Sequence, residues 1–508
     1  MIHPYHGGTA RKSHGPPFFA VMKIRFLIFL LASFLCALVL VKHDVTHTGI
    51  ETSRLATVES VLERGTFAIE DSFFTTSDKV AKDGHEYGDK PPLPTFLAIG
   101  FGRILKLFGT RFARGDYYRA LYWNNVFFFV LSSMVCWLVY LGLRRRERIP
   151  EPYRIAMSVL AFASTLALSY ATTLNNHTLC AVVLMGLVLL LETCERDGLT
   201  RGRAFCCGVM AGLVFNLDFI AGGVFGVSVF VYVLLTAPGR KWPQILLYAV
   251  GAGLLLAAEA AMNVISYGSP LPLYLWSHHP EFAGKNYLWY AFNILFGFEG
   301  FFLYMPALLF ACCACGSARM RRDRVFVLVM SSAAATTILL IAGTSDYGGW
   351  CCGYRFLIPF APVMMYYAAV YFGRPRPRLK RWQVFRAALL WGVATSCVAM
   401  LNPWNAGYEG SSTPEGSLPE HFKNGLMANL FVFCWQHAPE SATAQFFMDR
   451  VYGREYAMLY LLMELNNRND REGLQRVQAE IRGMLAEENA RAEFPEAPTS
   501  SAPEDSAR

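Results

Sequence analysis

The sequence predicts an all-α multi-pass membrane protein of about eleven transmembrane helices, with interfacial helices in a large first extracytoplasmic loop. Three observations carry that prediction. Of 508 residues, 54% are hydrophobic and only 17% are charged. About eleven apolar runs approach the roughly 20 residues that cross a bilayer. Clusters of Arg and Lys recur in the short connections between alternate runs, as they do on the cytoplasmic side of membrane proteins.

Residues 1–22 are polar and are expected to form a cytoplasmic N-terminal segment. Arg11, Lys12, Lys23 and Arg25 precede the first apolar run, 26–41, and hold the N-terminus inside. No small-x-small cleavage site follows, which favours an uncleaved span over a signal peptide. Further spans are expected near 120–143, 155–173, 178–193, 204–217, 219–236, 244–265, 300–315, 325–343, 356–373 and 384–401. Arg144 to Arg146, Arg196 to Arg203, Arg240-Lys241, Arg319 to Arg324 and Arg374 to Arg386 then all face the cytoplasm. Asn216 and Asp218 split 204–236 into two short halves, either two thin spans or a re-entrant pair. The membrane domain is thus 23–401, with outside segments at 43–119, around Asn175, at 266–299 and at 344–354. The tail, 402–508, is expected outside as well, helical over about 455–489 and disordered beyond Phe494.

The formal charge of +8 sits largely in these short loops and reports topology. No nucleic-acid motif accompanies it, so no nucleic-acid partner is expected. Most of the 13 cysteines lie inside apolar runs, where they act as small hydrophobes; Cys312 and Cys315 form a lone C-x-x-C at a helix end. The cytoplasmic segments hold no Asp-x-Asp and no glycine-rich phosphate loop, which disfavours nucleotide-sugar chemistry there.

The first loop holds the chemistry. Leu55, Val58, Val61 and Leu62 recur at helical spacing, with Glu59, Glu63 and Arg64 on other faces and Gly65 as the stop. Glu51 opens this helix, three residues ahead of Arg54. A second helix runs from Pro92 to Gly109, and Pro91 after Lys90 presents that lysine at its mouth. A fixed cation beside a helix start suits a phosphate at the membrane surface. Each residue alone reads as a surface ion pair or an interfacial anchor; together in one loop they read as a site.

An acid three residues before an arginine, then Asp89-Lys90-Pro91 before a second helix, resembles the C-type glycosyltransferase superfamily. The likeness is to protein O-mannosyltransferases and, closer, to bacterial aminoarabinose transferases of lipid A. Asn175-Asn176-His177-Thr178, Tyr267-Gly268-Ser269-Pro270 and the segment from Asp346 to Pro362 resemble the same group, so the likeness spans 23 to about 373. It implies an enzyme moving sugar from a polyprenyl-phosphate-linked donor to a lipid, glycan or protein acceptor, on the outer face of the plasma (inner) membrane. It assigns Glu51 as catalytic base or acceptor-orienting acid, Asp89 as the second acid, and Lys90 as the phosphate contact. Arg54 and Arg355 are candidates for further phosphate contacts, and Arg355 reads otherwise as an interfacial anchor with Trp350 and Tyr354. The usual Asp-Glu pair is Ile50-Glu51 here, so Asp44 stays an alternative base. His177 is a substrate contact or a hydrogen-bonded structural group. A divalent metal ion is a possible cofactor by the same resemblance; His278, His279 and Glu281 form no complete ligand set. Asp218 and Glu259 lie in apolar runs, where ionisable groups are costly. The rival classes are a lipid or solute transporter or flippase, and a non-catalytic relative that binds lipid-linked sugar.

Overall fold

The computed structural model describes residues 18–45, 49–146, 149–237, 242–273, 286–297, 299–343, 351–373, 379–405, 425–467 and 470–493. It is helical almost throughout. In order come α1 Phe18–Leu40, α2 Gly49–Glu59, α3 Pro92–Leu107, α4 Tyr117–Arg144, α5 Glu151–Ala163 and α6 Ala167–Ala171. Then follow α7 Asn176–Asp197, α8 Arg201–Leu217, α9 Phe219–Thr236, α10 Trp242–Tyr267, α11 Tyr287–Leu295 and α12 Leu309–Ala314. The last are α13 Arg324–Gly343, α14 Ala361–Phe372, α15 Leu379–Ala399, α16 Gly425–His437, α17 Arg454–Asn467 and α18 Arg471–Glu493.

Among the described residues, seven helices are long and apolar enough to cross a membrane. They are α1, α4, α7, α9, α10, α13 and the helix made by Arg355–Phe360 running into α14. The chain is a multi-pass membrane protein. The other four expected spans are helical but shorter, broken or more polar. The 155–173 run is interrupted after Ala163, where the hydroxyls of Ser164 and Thr165 donate back to Leu160 and Ala161 carbonyls. The 300–315 run breaks into short turns at Pro306. The helix at 204–217 is one residue under the length of α9, and α15 opens on Lys380-Arg381.

The doubtful run at 204–236 is a helical hairpin with Asp218 at its tip. Asp218 ends α8 and caps α9, its Oδ1 accepting from Ala221 N–H at 3.0 Å. Helices α8 and α10 cross backbone against backbone: a Cβ on Gly208 or Gly251 would run into the carbonyls of Tyr248 and Phe205. Small residues permit such close crossings in membranes. The α7 helix runs the depth of the domain, from Asn176 at one face to the arginine-rich connections at the other.

The first loop differs in two ways from an exposed interfacial segment. Glu51 to Ala56, Val58 and Glu59 are all buried, polar face included, and a π-turn over Ser60–Arg64 carries the helix to Gly65 at φ 73°. Between α2 and α3 stands a hairpin, Lys79–Lys82 (β1) paired antiparallel with His85–Gly88 (β2), Lys79 opposite Gly88. Its turn, Asp83-Gly84, takes positive φ at both residues, as a two-residue hairpin turn requires.

The tail is more structured than its sequence promised. It is helical from Gly425, not from about 455, and forms its own core around Phe431, Trp435, Tyr452 and Leu461. The tail docks on the membrane domain by polar bonds: Asn429 Nδ2 donates to Val398 O at 3.3 Å, and Gly425 N–H to Glu299 Oε1 at 3.0 Å. The expected disorder after Phe494, and the His278–Glu281 group, lie outside the described residues.

Candidate active site

The site is built where α2, the β2–α3 connection, the N-terminus of α7 and the start of the Arg355 helix meet. Arg54 sits on α2, only 1% exposed, and its Nη2 donates to Asn176 Oδ1 at 2.9 Å. Asn176 in turn donates to Leu217 O at 2.8 Å, tying α2 to the tip of the α8–α9 hairpin. The neighbouring His177 Nδ1 and Asp218 Oδ2 are 2.7 Å apart. Asn175 begins α7 by accepting from Thr178 N–H.

Lys90 stands on the far wall. Its Nζ lies 2.8 Å from Asp78 and 3.1 Å from Asp89, both carboxylates of the same loop. Asp78, which nothing in the sequence singled out, is therefore part of the arrangement. Only its position just ahead of the alternating KVAK strand marked it.

Arg355 opens its helix 8% exposed, with its guanidinium carbon 5.0 Å from the Phe356 ring centroid and 5.6 Å from that of Trp404. Trp404 belongs to the tail and donates its indole N–H to Thr173. The tail thus helps build the site, which hydropathy could not reveal.

Three cations, Arg54, Lys90 and Arg355, share the site with the carboxylates of Glu51, Asp78 and Asp89. Burial pushes the Arg54 guanidinium down to about 10; Asp89, Asp78 and Glu51 pull it up, and Arg355 pushes it further down. Nε and Nη1 of both Arg54 and Arg355 are buried and hydrogen-bonded to no group among the described residues. A buried guanidinium is stable only when paired and hydrogen-bonded, so four donor nitrogens of this kind define a place for an anion.

A cleft open to solvent lies beside this cluster. Ser53, Arg54 and Thr57 of α2, Lys90 and Thr95 across from them, and Asn263 and Tyr267 of α10 line it. Phe67 and Phe96, stacked at 5.5 Å, give it an apolar edge. Hydroxyls and two cations around an apolar slot suit an amphiphile with an anionic head.

Of the seven residues marked from sequence, six fall in this cluster: Glu51, Arg54, Asp89, Lys90, His177 and Arg355. Glu51 is wholly buried one turn before Arg54 on the same face, and Asp89 is 6% exposed; both stand behind the cleft wall. Asp44 is engaged elsewhere, accepting from Val45 N–H at 2.7 Å and Tyr117 OH at 3.1 Å. Among the described residues, no group of three or more His, Cys, Asp or Glu side chains could hold a metal ion.

No known protein-family profile matches the chain, and no curated protein matches it. Among solved structures it is similar to ArnT from Cupriavidus metallidurans bound to undecaprenyl phosphate. That match has 13% identity over 90% of this chain and 73% of that one, with a TM-score of 0.49. It is also similar to the Archaeoglobus fulgidus oligosaccharyltransferase in its apo form. There the identity is 14% over 85% of this chain and 60% of that one, with a TM-score of 0.42.

Proposed function

We propose that this protein is an integral-membrane glycosyltransferase, moving a sugar from a polyprenyl-phosphate-linked donor to a hydroxyl of a lipid, glycan or protein acceptor. The observation that carries the proposal is the pair of buried guanidiniums, Arg54 and Arg355, each with two nitrogens bonded to no group among the described residues, beside Lys90 and an apolar-edged cleft. A soluble phosphate needs no apolar edge, and a neutral lipid needs no buried cations. A phosphodiester on a long hydrocarbon chain uses both.

In this reading the acceptor oxygen attacks the anomeric carbon, and the bond from that carbon to the phosphate oxygen breaks. The departing lipid phosphate takes the electron pair, and its added charge falls to Arg54, Lys90 and Arg355. The acceptor proton passes to a carboxylate, which we assign to Glu51 because it shares a helix face with Arg54. Asp89 and Asp78 hold Lys90 at the cleft. Asn176, fixed by its bond to Leu217 O, orients Arg54, and the neighbouring His177 is held by Asp218. The chemistry is assigned to the extracytoplasmic face of the inner membrane, since the arginine-rich connections lie at the other end of α7.

The test is transfer from a radiolabelled lipid-linked sugar pool in membranes containing wild type or single variants. Glu51→Gln is expected to lower transfer by about a hundredfold or more, and Lys90→Ala and Arg54→Ala by about tenfold to a hundredfold. Inserted, folded variants that transfer as well as wild type would overturn the assignment. Lipid movement without sugar transfer would favour a transporter.

A further inference from the structure

We infer that the arginine-rich face, at the opposite end of α7 from the cleft, is a binding site for an anionic phospholipid held between α9 and α13. Two adjoining cavities carry this. One, with about 1080 Å³ of empty space, is a polar basin containing Arg319, Arg322, Arg324 and Arg146. The other, with about 1200 Å³, is a groove between α9 and α13 whose walls are Val227, Val231, Leu235, Val327 and Leu328. Arg324 belongs to both, and Arg321 stands with it at the groove's end.

The basin is not merely a run of topogenic charge. Its deeper arginines are used by the protein: Arg146 pairs with Glu192 at 2.7 Å and with Asp323 at 3.4 Å, and Arg145 donates to Leu189 O. These bonds fix the floor. Arg319, Arg321 and Arg322 form no ion pair among the described residues, and Arg324 reaches Glu195 only at 4.0 Å. Four guanidiniums on the six residues from Arg319 to Arg324 therefore face outward around a fixed, internally paired floor.

The groove decides the class of anion. Val227, Val231 and Leu235 recur at one α9 face and are 64%, 44% and 74% exposed, so they meet lipid chains. A hydrocarbon chain lying there ends at Arg321 and Arg324, which places a headgroup phosphodiester against the basin. Basic pockets between membrane helices are suited to such headgroups. A soluble phosphate would use the basin and leave the groove idle. This site is independent of the sugar-transfer reading, since it shares no residue with the cleft.

Thermal unfolding of the full-length protein in nonionic detergent tests it, with added phosphatidylglycerol, phosphatidylcholine, glycerophosphoglycerol or inorganic phosphate. Phosphatidylglycerol is expected to raise Tm while the other three do not. The variant carrying Arg319→Gln, Arg321→Gln and Arg322→Gln should need about a hundredfold more lipid, at roughly fivefold for each guanidinium lost. Those side chains are exposed, so the unliganded Tm should hold. Val231→Trp, which fills the groove and spares every charge, should weaken the phosphatidylglycerol effect as well. An equal shift from glycerophosphoglycerol or phosphate would overturn the proposal in favour of a soluble anion. A triple variant, or Val231→Trp, that responds to lipid like wild type would overturn it too.

Discussion

Arg54 concentrates the argument at the scale of single residues. Its charge is buried beside another buried cation, an arrangement that is costly in an empty site and favourable with an anion in it. Because burial brings its guanidinium down to about 10, the cation is complete below about pH 9 and is lost as pH rises through 10. Donor binding by wild type should therefore hold from pH 7 to 9 and weaken above 10, a limb that should be shallower in Arg54→Ala. The same position explains what was legible beforehand. Glu51, Arg54, Asp89 and Lys90 stood out because charge is rare in this sequence and two prolines fixed its place. Asn176 stood out only within the Asn175-to-Thr178 motif, without a role of its own, and Asp78 not at all, since a polar residue at a helix start or a strand edge has ordinary structural uses. Asp44 stood out for its charge, but its partners are Val45 and Tyr117.

At the scale of elements, the α8–α10 crossing sets the cleft wall, since Asn263 and Tyr267 extend from the same α10 helix that meets α8 at Gly251. Gly251→Val should separate the two backbones and cost about 1–3 kcal/mol, read as a fall in Tm together with weaker donor binding. Gly253→Ala, one turn-half away with open space around it, should leave both unchanged. Hydropathy located all these helices, but its windows could not see where they break. Ser164-Thr165 and Pro306 interrupt expected spans with residues that a 20-residue average absorbs. The hairpin at 79–88 was signalled by Asp83-Gly84 between short alternating strands, yet it is too short to register against the loop around it.

At the scale of the whole molecule, the tail is part of the architecture. Glu299 joins three regions: its Oε2 accepts from Gly353 N–H at 2.7 Å, and its Oε1 from Gly425 N–H at 3.0 Å. Trp404, five residues beyond the end of α15, packs against Arg355. Removing residues after 424 strips α16 from Asn402 and Asn405 and should lower both Tm and donor affinity. Glu299→Ala should do the same more weakly, by about 1–3 kcal/mol for two acceptors lost. A truncated protein with unchanged Tm and binding would show the tail to be dispensable.

The most direct measurement is the affinity of the purified protein for a polyprenyl phosphate against the matching polyprenol, in wild type, Arg54→Ala and Lys90→Ala. The account predicts that wild type binds the phosphate at least about a hundredfold more tightly than the alcohol, as two or three charge-assisted contacts imply. Each variant should lose most of that preference while keeping its affinity for the alcohol. Equal binding of phosphate and alcohol by wild type, or a preference untouched by either substitution, would contradict it.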